Sequence, residues 1–486
     1  MSKIYDTLLG EYIQNPGRKW LSLDLLAKKY FDYKMISYDE VTRKKELNFV
    51  EVALDEASIY STEDVYITAK VYELQEKNQI INDKVLNEIE LPLLEVLKDM
   101  EITWVKVDSE KLAEIWKYLE QEIKKEEKII LTLAWENFNI KSPKQVGEIL
   151  FGKLWLPEWK KTKTWFSVDS EVLESLSFRY PIAKHIVNYR QYTKLQSTYV
   201  EWLSKLIDKN TKKIHTSYNQ TITTTGRLSS TNPNLQNIPS SDWLGWTIRE
   251  AFVPSDENNI LVAFDYSQIE VRLLAILSED ENLLGSFKSW IDIHKNTWYF
   301  LFWKDDITND ERRIAKAVNF WVIYWISPFG LSKMIWVSLG EAREYINKFY
   351  EKYPKVLEFF EKTISDCEKN WYVETMFGRK RFISNINDNN SVIKKASERE
   401  AINMPIQWTS ADIIKIAMIK VWKFLREKNL KSKMIMQVHD ELVFDVVLDE
   451  IEIIKKEIPE IMENIINTPI KLIVDIWIGK NWRECK

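Results

Sequence analysis

Glycine is close to missing from this chain, with 11 among 486 residues, where ordinary usage of about 7% gives roughly 34. Only glycine enters left-handed backbone without a steric penalty. The chain is therefore short of residues for positive-φ turns and for close approach of one backbone to another. Tryptophan is correspondingly abundant at 21, level with tyrosine and above the 20 phenylalanines. The stretch VNFWVIYWISPFG (318–330) concentrates the anomaly. Arg312, Lys316, Phe320 and Tyr324 recur at steps of four, and Trp321 and Trp325 follow the two aromatics.

The remaining composition is that of a globular protein, 45% hydrophobic and 29% charged, long enough for roughly two to four domains. A net charge of −5 does not advertise nucleic-acid binding, although the basic clusters Lys160–Lys163 and Arg379–Arg381 offer local cationic patches. The first residues, MSKIYDTLLG, have no apolar signal core. The most apolar stretch, from Val318, meets Pro328 and Lys333 before reaching the ~18–20 apolar residues of a membrane span. Two cysteines, Cys367 and Cys485, make neither a disulfide framework nor a metal cluster, which points to a reducing cytoplasm.

Periodicity predicts mixed short elements over 1–85 and long amphipathic charged helices over 86–210, such as SEKLAEIWKYLEQEIKKEEKIILTLAW. The Thr-, Ser-, Asn- and Pro-rich segment 221–239 reads as extended structure and loops. ILVAFD (260–265) is a short apolar strand running into a helix over 269–277. Helices follow through 365, a turn-rich break covers FGRKRFISNINDNN, and 392–427 is helical again. MIMQV-HD-ELVFDVV places a polar pair between two apolar runs, a hairpin pattern.

Three constellations bear chemistry. Asp265 ends the apolar strand, and Asp440 and Glu441 sit at the hairpin tip. Carboxylates at strand ends can converge across a sheet to hold two magnesium ions about 3.5–4 Å apart for in-line phosphoryl displacement. Taken singly, each is as well explained as a turn cap. Arg312, Lys316, Phe320 and Tyr324 drift by about 40° per step on one helical face. Two cations and two aromatics in line suit a triphosphate followed by a sugar and base, or simply an amphipathic helix. Gly226-Arg227, Asn232 to Gln236, Asp292 to His294, and Arg399, Asn403 and Gln407 offer groups able to read base edges. Each is a common loop or cap residue when found alone.

Together these segments resemble, in order and spacing, the polymerase motifs of family A DNA polymerases, in the large-fragment form of their bacterial members. DYSQIEVR (265–272), RRIAKAVNFWVIYWISPFG (312–330) and QVHDELVF (437–444) carry the likeness. TTTGRLSSTNPNLQNIP, DIH, NMPIQ-TSADIIK and GKNW support it, and FNIKSPKQVGEILF resembles the family's thumb. The resemblance implies an α+β right-hand polymerase, with an antiparallel palm, helical fingers and thumb, and a truncated α/β exonuclease-like N-terminal part. The corresponding segments are 1–85 for the exonuclease remnant, 86–210 for the thumb, 211–275 and 393–486 for the palm, and 276–392 for the fingers.

It further implies template-directed extension of a primer 3′-hydroxyl with deoxynucleoside triphosphates on primer-template DNA, by a monomer without membrane attachment. Asp265 and Asp440 would bind two magnesium ions, with Glu441 nearby. Glu270 would exclude a 2′-hydroxyl, and Arg312, Lys316 and His294 would hold the triphosphate. Phe320, Tyr324 and Gln268 would lie at the incoming nucleotide. Arg227, Gln407 and His439 would touch primer or template, supported by Arg399 and Asn403, with Asn232 and Gln236 in the same loop system. YSTED (60–64) resembles the last proofreading motif, but the earlier acidic pair is not in the chain, so 3′-end trimming is not expected. Two rivals share part of this pattern. A single-subunit RNA polymerase is disfavoured by Glu270 and the TGRLSS and DIH segments, and an inert primer-template binding protein by Asp265, Lys316 and Asp440.

The family pattern also carries glycine where this chain has Trp104, Trp135, Trp155, Trp165, Trp290, Trp321, Trp325, Trp371 and Trp408. Drift does not target one residue type in this way. The reading is that the gene uses UGA for glycine, as some bacterial lineages do, and is translated here with UGA as tryptophan. Small-to-large changes cost typically ~1–3 kcal/mol each, so several together rival a stability of about 5–15 kcal/mol.

Overall fold

The structure is a computed structural model describing residues 4–16, 21–157, 166–239, 243–289, 293–302, 308–322 and 324–485. Trp165, Trp290, Asp292 and the Lys160–Lys163 cluster lie outside these residues, as do the side chains of His294, Phe320 and Trp321. The chain divides into two compact units: residues 1–102, 218–230 and 263–476 form the first, and 103–217, 231–262 and 477–486 the second. Among the described residues no helix is long and apolar enough to cross a membrane, and Cys367 and Cys485 form no disulfide.

The first unit holds the greater part of a four-stranded sheet in the order Val474–Gly479, Asn259–Tyr266, Glu441–Val447, Lys433–Val438. The last two strands are the expected hairpin, antiparallel and in register from Val438↔Glu441, with an irregularity between Met434 and Met436. Their residues are almost all buried because both faces are covered, which is why they read as unbroken apolar runs rather than an alternation. Phe264 and Phe444 meet edge-on with ring centroids 5.4 Å apart.

Helix Ile269–Ser278 follows the sheet strand directly and packs on the long helix Ser391–Glu427. That helix buries Ala401, Met404, Ala411 and Ile414 along one side and Ala417, Met418 and Val421 beyond. Asn390 accepts from the Val392 N–H at its start, supplying the orphan first turn with an acceptor. The described residues of 4–85 are helical or in turns, with no strand among them. Their buried residues follow the helical period, as Ile67, Val71 and Gln75 show on helix Leu54–Lys77.

At the centre of this unit lies a closed charge network. Glu90 is fully buried and accepts from Lys415 Nζ at 2.7 Å, Arg379 Nη2 at 2.5 Å and Gln220 Nε2 at 2.5 Å. Arg379 also donates to Asp412 at 2.6 and 3.0 Å. The basic triplet 379–381 is therefore not the surface patch its charge suggested. Arg379 is 2% exposed, and Arg381 pairs with Glu400.

The second unit is mainly helical, with a short antiparallel pairing of Val105–Lys106 and Lys213–Ile214. Helix Ser109–Ala134 packs against Pro181–Lys194 around Ile130, Leu150, Leu173 and Ile186. His185 Nδ1 lies 2.6 Å from the buried carboxylate of Glu126.

The buried network yields a stability prediction. Burial raises the Glu90 carboxyl, but Lys415 and Arg379 overcome it and hold it down at about 2 against an ordinary 4.5. A depressed carboxyl stabilises above its unfolded value, so this contribution is present above pH 4.5 and is lost as pH falls toward 2. Replacing Glu90 by Gln keeps the shape and leaves two buried cations under-compensated, costing about 3–5 kcal/mol in urea unfolding at neutral pH. The variant's stability should also respond less to acidification than the parent's.

Candidate active site

Four separate segments deliver the site. Strand Asn259–Tyr266 is buried without a break from Leu261 to Phe264, and Asp265, between the buried Phe264 and Tyr266, is partly exposed on the face opposite to theirs. Tyr266 is fixed by its hydroxyl, which donates to Met462 O at 2.7 Å. The turn His439-Asp440 joins the two hairpin strands, and Asp440 O accepts from the Tyr266 N–H at 3.2 Å. This backbone bond puts the segments bearing Asp265 and Asp440 side by side. Glu441 begins the next strand and is 4% exposed.

Glu270 lies in the first turn of helix Ile269–Ser278, where the helix dipole favours a carboxylate. Arg227 comes from the loop TTTGRLSS. Gly226 sits at φ +73°, and a Cβ there would meet the Trp408 ring at 2.9 Å, so both conformation and space demand glycine. Trp408 Nε1 donates to Thr224 O at 3.1 Å and Arg381 Nη1 to the same oxygen at 2.5 Å, which anchors the loop.

The guanidinium of Arg227 links the acids. Its Nη2 donates to Glu270 Oε1 at 2.8 Å and lies 3.6 Å from Asp440 Oδ1. The Tyr324 hydroxyl donates to the other oxygen of Glu270, and Gln407 bonds to Tyr324 in turn. Burial pulls the Arg227 guanidinium down, but Asp440 and then Glu270 more than offset this and raise it. Burial raises the Glu270 carboxyl more than Arg227 and Tyr324 lower it. Burial, then the Glu270 charge, pushes the Tyr324 phenol up. One cation thus serves two carboxylates, with a third on the adjacent strand.

The expected cation-aromatic stripe is only partly helical. Helix Asn309–Val322 presents Arg312 and Lys316 to solvent four residues apart. Tyr324 lies beyond its end, because Trp325 at φ +55° closes a turn with its N–H on Val322 O at 3.0 Å. Leaving the helix is what turns Tyr324 toward Glu270. Of the other sequence candidates, Gln268 is exposed at φ +51° just before Glu270's helix, and His439 is exposed at φ +54° beside Asp440. Arg399 is exposed and Asn403 half-buried, both on helix Ser391–Glu427. Asn232 and Gln236 belong to the second unit, the first exposed and the second 9% exposed.

Two neighbours were not singled out from sequence. Ser410 Oγ stands 3.5 Å from Asp440 Oδ1, and the Tyr218 hydroxyl accepts from the Gln437 N–H at 3.1 Å, bracing the hairpin. Ser410 lies three residues after Gln407, one helical turn on, which is a usable signal. Tyr218 carried none.

Among the described residues no group of three or more His, Cys, Asp and Glu side chains forms a ready-made metal cage. Magnesium characteristically takes one or two carboxylates and completes its shell with water and substrate phosphate oxygens. The pair Asp265 and Asp440 fits that donor set, with only oxygen ligands and an open remainder.

The profile of DNA polymerase family A matches residues 109–484. DNA polymerase I of Bacillus subtilis (strain 168) is 41% identical over 489 residues, covering 99% of this chain and 55% of the relative. That of Geobacillus stearothermophilus is 39% identical over 494 residues, covering 99% and 56%. The chain thus spans about half the length of these curated relatives. A solved structure of the POL domain of Pol1 from M. smegmatis, in complex with DNA primer-template and dNTP, superposes with a TM-score of 0.88. It is 31% identical, over 99% of this chain and 82% of that one. The α+β arrangement of helices and small antiparallel sheets is therefore that of a polymerase domain, and the chain belongs to DNA polymerase family A.

Proposed function

We propose that this chain extends a DNA primer on a template strand, adding deoxynucleotides to the 3′-hydroxyl. The observation that carries the reading is the bridged set Tyr324–Glu270–Arg227–Asp440 beside Asp265, in a chain similar to a polymerase captured with primer-template and dNTP. Asp265 and Asp440 hold the divalent metal in this proposal, as two magnesium ions, with Glu441 behind them. Bound there, the metal supplies Lewis-acid activation of the attacking hydroxyl and neutralises charge on the departing pyrophosphate. The primer oxygen forms a bond to the α-phosphorus as the bond to pyrophosphate breaks.

The chain's own residues do the positioning. Arg312 and Lys316, exposed one turn apart, face the triphosphate with His294, the Arg as a fork and the Lys as a point charge. Phe320, Tyr324 and Gln268 lie at the nucleotide. Glu270, held by Arg227 and Tyr324, is a fixed wall where a 2′-hydroxyl would come. Arg227, Gln407, His439, Arg399 and Asn403 meet primer and template in this proposal; Asn232 and Gln236 are proposed separately as DNA contacts.

In this reading residues 86–210 act as thumb, 211–275 and 393–486 as palm, and 276–392 as fingers. Residues 1–85 are an exonuclease-like segment. Its helix Leu54–Lys77 carries Tyr60 and Asp64. Burial and the neighbouring acids Asp24 and Glu63 raise the Asp64 carboxyl. We further propose that the protein works as a monomer in the cytoplasm.

A primer-extension assay tests the assignment. Asp440→Asn should lower extension at least about 10²-fold, the scale of removing one preorganised electrostatic group, while primer-template affinity by fluorescence anisotropy stays within a few-fold. Extension surviving that change removes Asp440 from the chemistry. Glu270→Ala should raise ribonucleotide incorporation relative to deoxynucleotide by on the order of 10–100-fold. Unchanged sugar discrimination would show that Glu270 is a structural partner of Arg227 and nothing more.

A further inference from the structure

Six tryptophans, at 104, 135, 155, 325, 336 and 371, have φ between +52° and +68°. They are over a third of the seventeen non-glycine residues in that region among the described ones, although tryptophan is 21 of 486 residues. A bulky side chain with a Cβ is an outlier there, and the three positions at helix ends show why the backbone insists on it. Trp135, Trp336 and Trp371 follow helices Ser109–Ala134, Pro328–Ile335 and Pro354–Asn370 with φ of 58°, 61° and 64°. Their N–H groups close the last turns on Thr132, Ser332 and Cys367 carbonyls. That is the left-handed helix stop which glycine ordinarily occupies.

A second observation is independent of backbone angle. The indoles at 135, 155, 336 and 371 are 83%, 84%, 56% and 47% exposed, so at three of these positions the largest apolar side chain meets mostly water and at the fourth nearly half of it does. Other tryptophans have evident employment. Trp298 and Trp482 are buried in the core, and Trp422 donates to Asp99 at 2.7 Å. Five of the six left-handed positions coincide with those where the family pattern carries glycine. Trp336 does not, and only the backbone marks it.

We infer that this protein carries glycine at 104, 135, 155, 325, 336 and 371, because its cell reads UGA as glycine. The inference concerns the identity of the residues and stands whether or not the proposed reaction does. At 325 it bears on the site, because the residue that turns the chain after Tyr324 is then unstrained.

Peptide mass spectrometry of the protein isolated from its source cells should find glycine at 135, 336 and 371; tryptophan there overturns the inference. A second measurement works on the chain as written. Trp135→Gly and Trp371→Gly should each raise Tm by about 2 °C or more, and should exceed Trp135→Ala and Trp371→Ala, which keep the Cβ. Trp298→Gly, in a buried helical position, should lower Tm. Alanine matching or exceeding glycine at both 135 and 371 would show that these backbones do not require glycine.

Discussion

A backbone hydrogen bond from the Tyr266 N–H to the Asp440 carbonyl, where strands Asn259–Tyr266 and Glu441–Val447 lie side by side in the sheet, joins the segments that bear the two acids. The bond exists because two apolar strands pair edge to edge, and each strand is specified by burial rather than by its acid. Phe264 and Tyr266 flank Asp265 and anchor the strand in the core, while Val438 and Leu442 do the same around the His439-Asp440 turn. The acids are displayed at the end of a sheet they did not help to form. Such a scaffold lets carboxylates stand close without being hidden, so their mutual repulsion is set against a large hydrophobic term rather than against local turn energetics.

The first unit contains two charge networks with opposite designs. Around Glu90 every charge is matched, two acids against two cations, and nearly everything is sealed from water. A charge-balanced, buried set of this kind holds distant segments in one arrangement. Around Asp440 one guanidinium is shared between Glu270 and Asp440, and those acids keep side-chain exposures of 12% and 25%. That set is short of positive charge and open to solvent. A cation or a cation-bearing substrate completes it, which is the electrostatic condition for binding a metal with a triphosphate. The contrast between sealed and open separates the two roles better than the residue types, which are the same in both.

Much of this was legible in the sequence because it rests on local pattern. The strand and helix around DYSQIEVR, the hairpin at QVHDELVF and the helix beginning near 392 follow from apolar runs and their flanking polar residues. Glu90 was not legible, since its partners Arg379 and Lys415 are 289 and 325 residues away and one acid within NEIELPLLEVL looks solvated. The triplet 379–381 misled for the same reason, since charge in sequence says nothing of which carboxylates the fold will bring to it. Tyr324 was placed on a helical stripe because steps of four continue past Val322. The backbone departs there for a conformational reason that residue spacing does not carry.

That reason recurs at four corners of the site. Arg227 follows Gly226 at φ +73°, Glu270 comes two residues after Gln268 at +51°, Tyr324 precedes Trp325 at +55°, and Asp440 follows His439 at +54°. Each of these four groups stands within two residues of a left-handed residue, and three of those four residues are not glycine. Left-handed backbone costs an ordinary L-residue roughly 1–2 kcal/mol, and such strain collects where function fixes the chain direction. The reversal it produces is sharp, so four segments from distant parts of the sequence can converge without long loops. At 226 the chain meets the requirement with the residue chemistry prefers. At 325 it is written with the largest side chain available, beside the tyrosine that must reach Glu270. The scarcity of glycine and the geometry of the site are therefore one constraint seen at two scales: a convergent site needs left-handed corners, and left-handed corners need a residue without a Cβ or a scaffold rigid enough to hold one that has it.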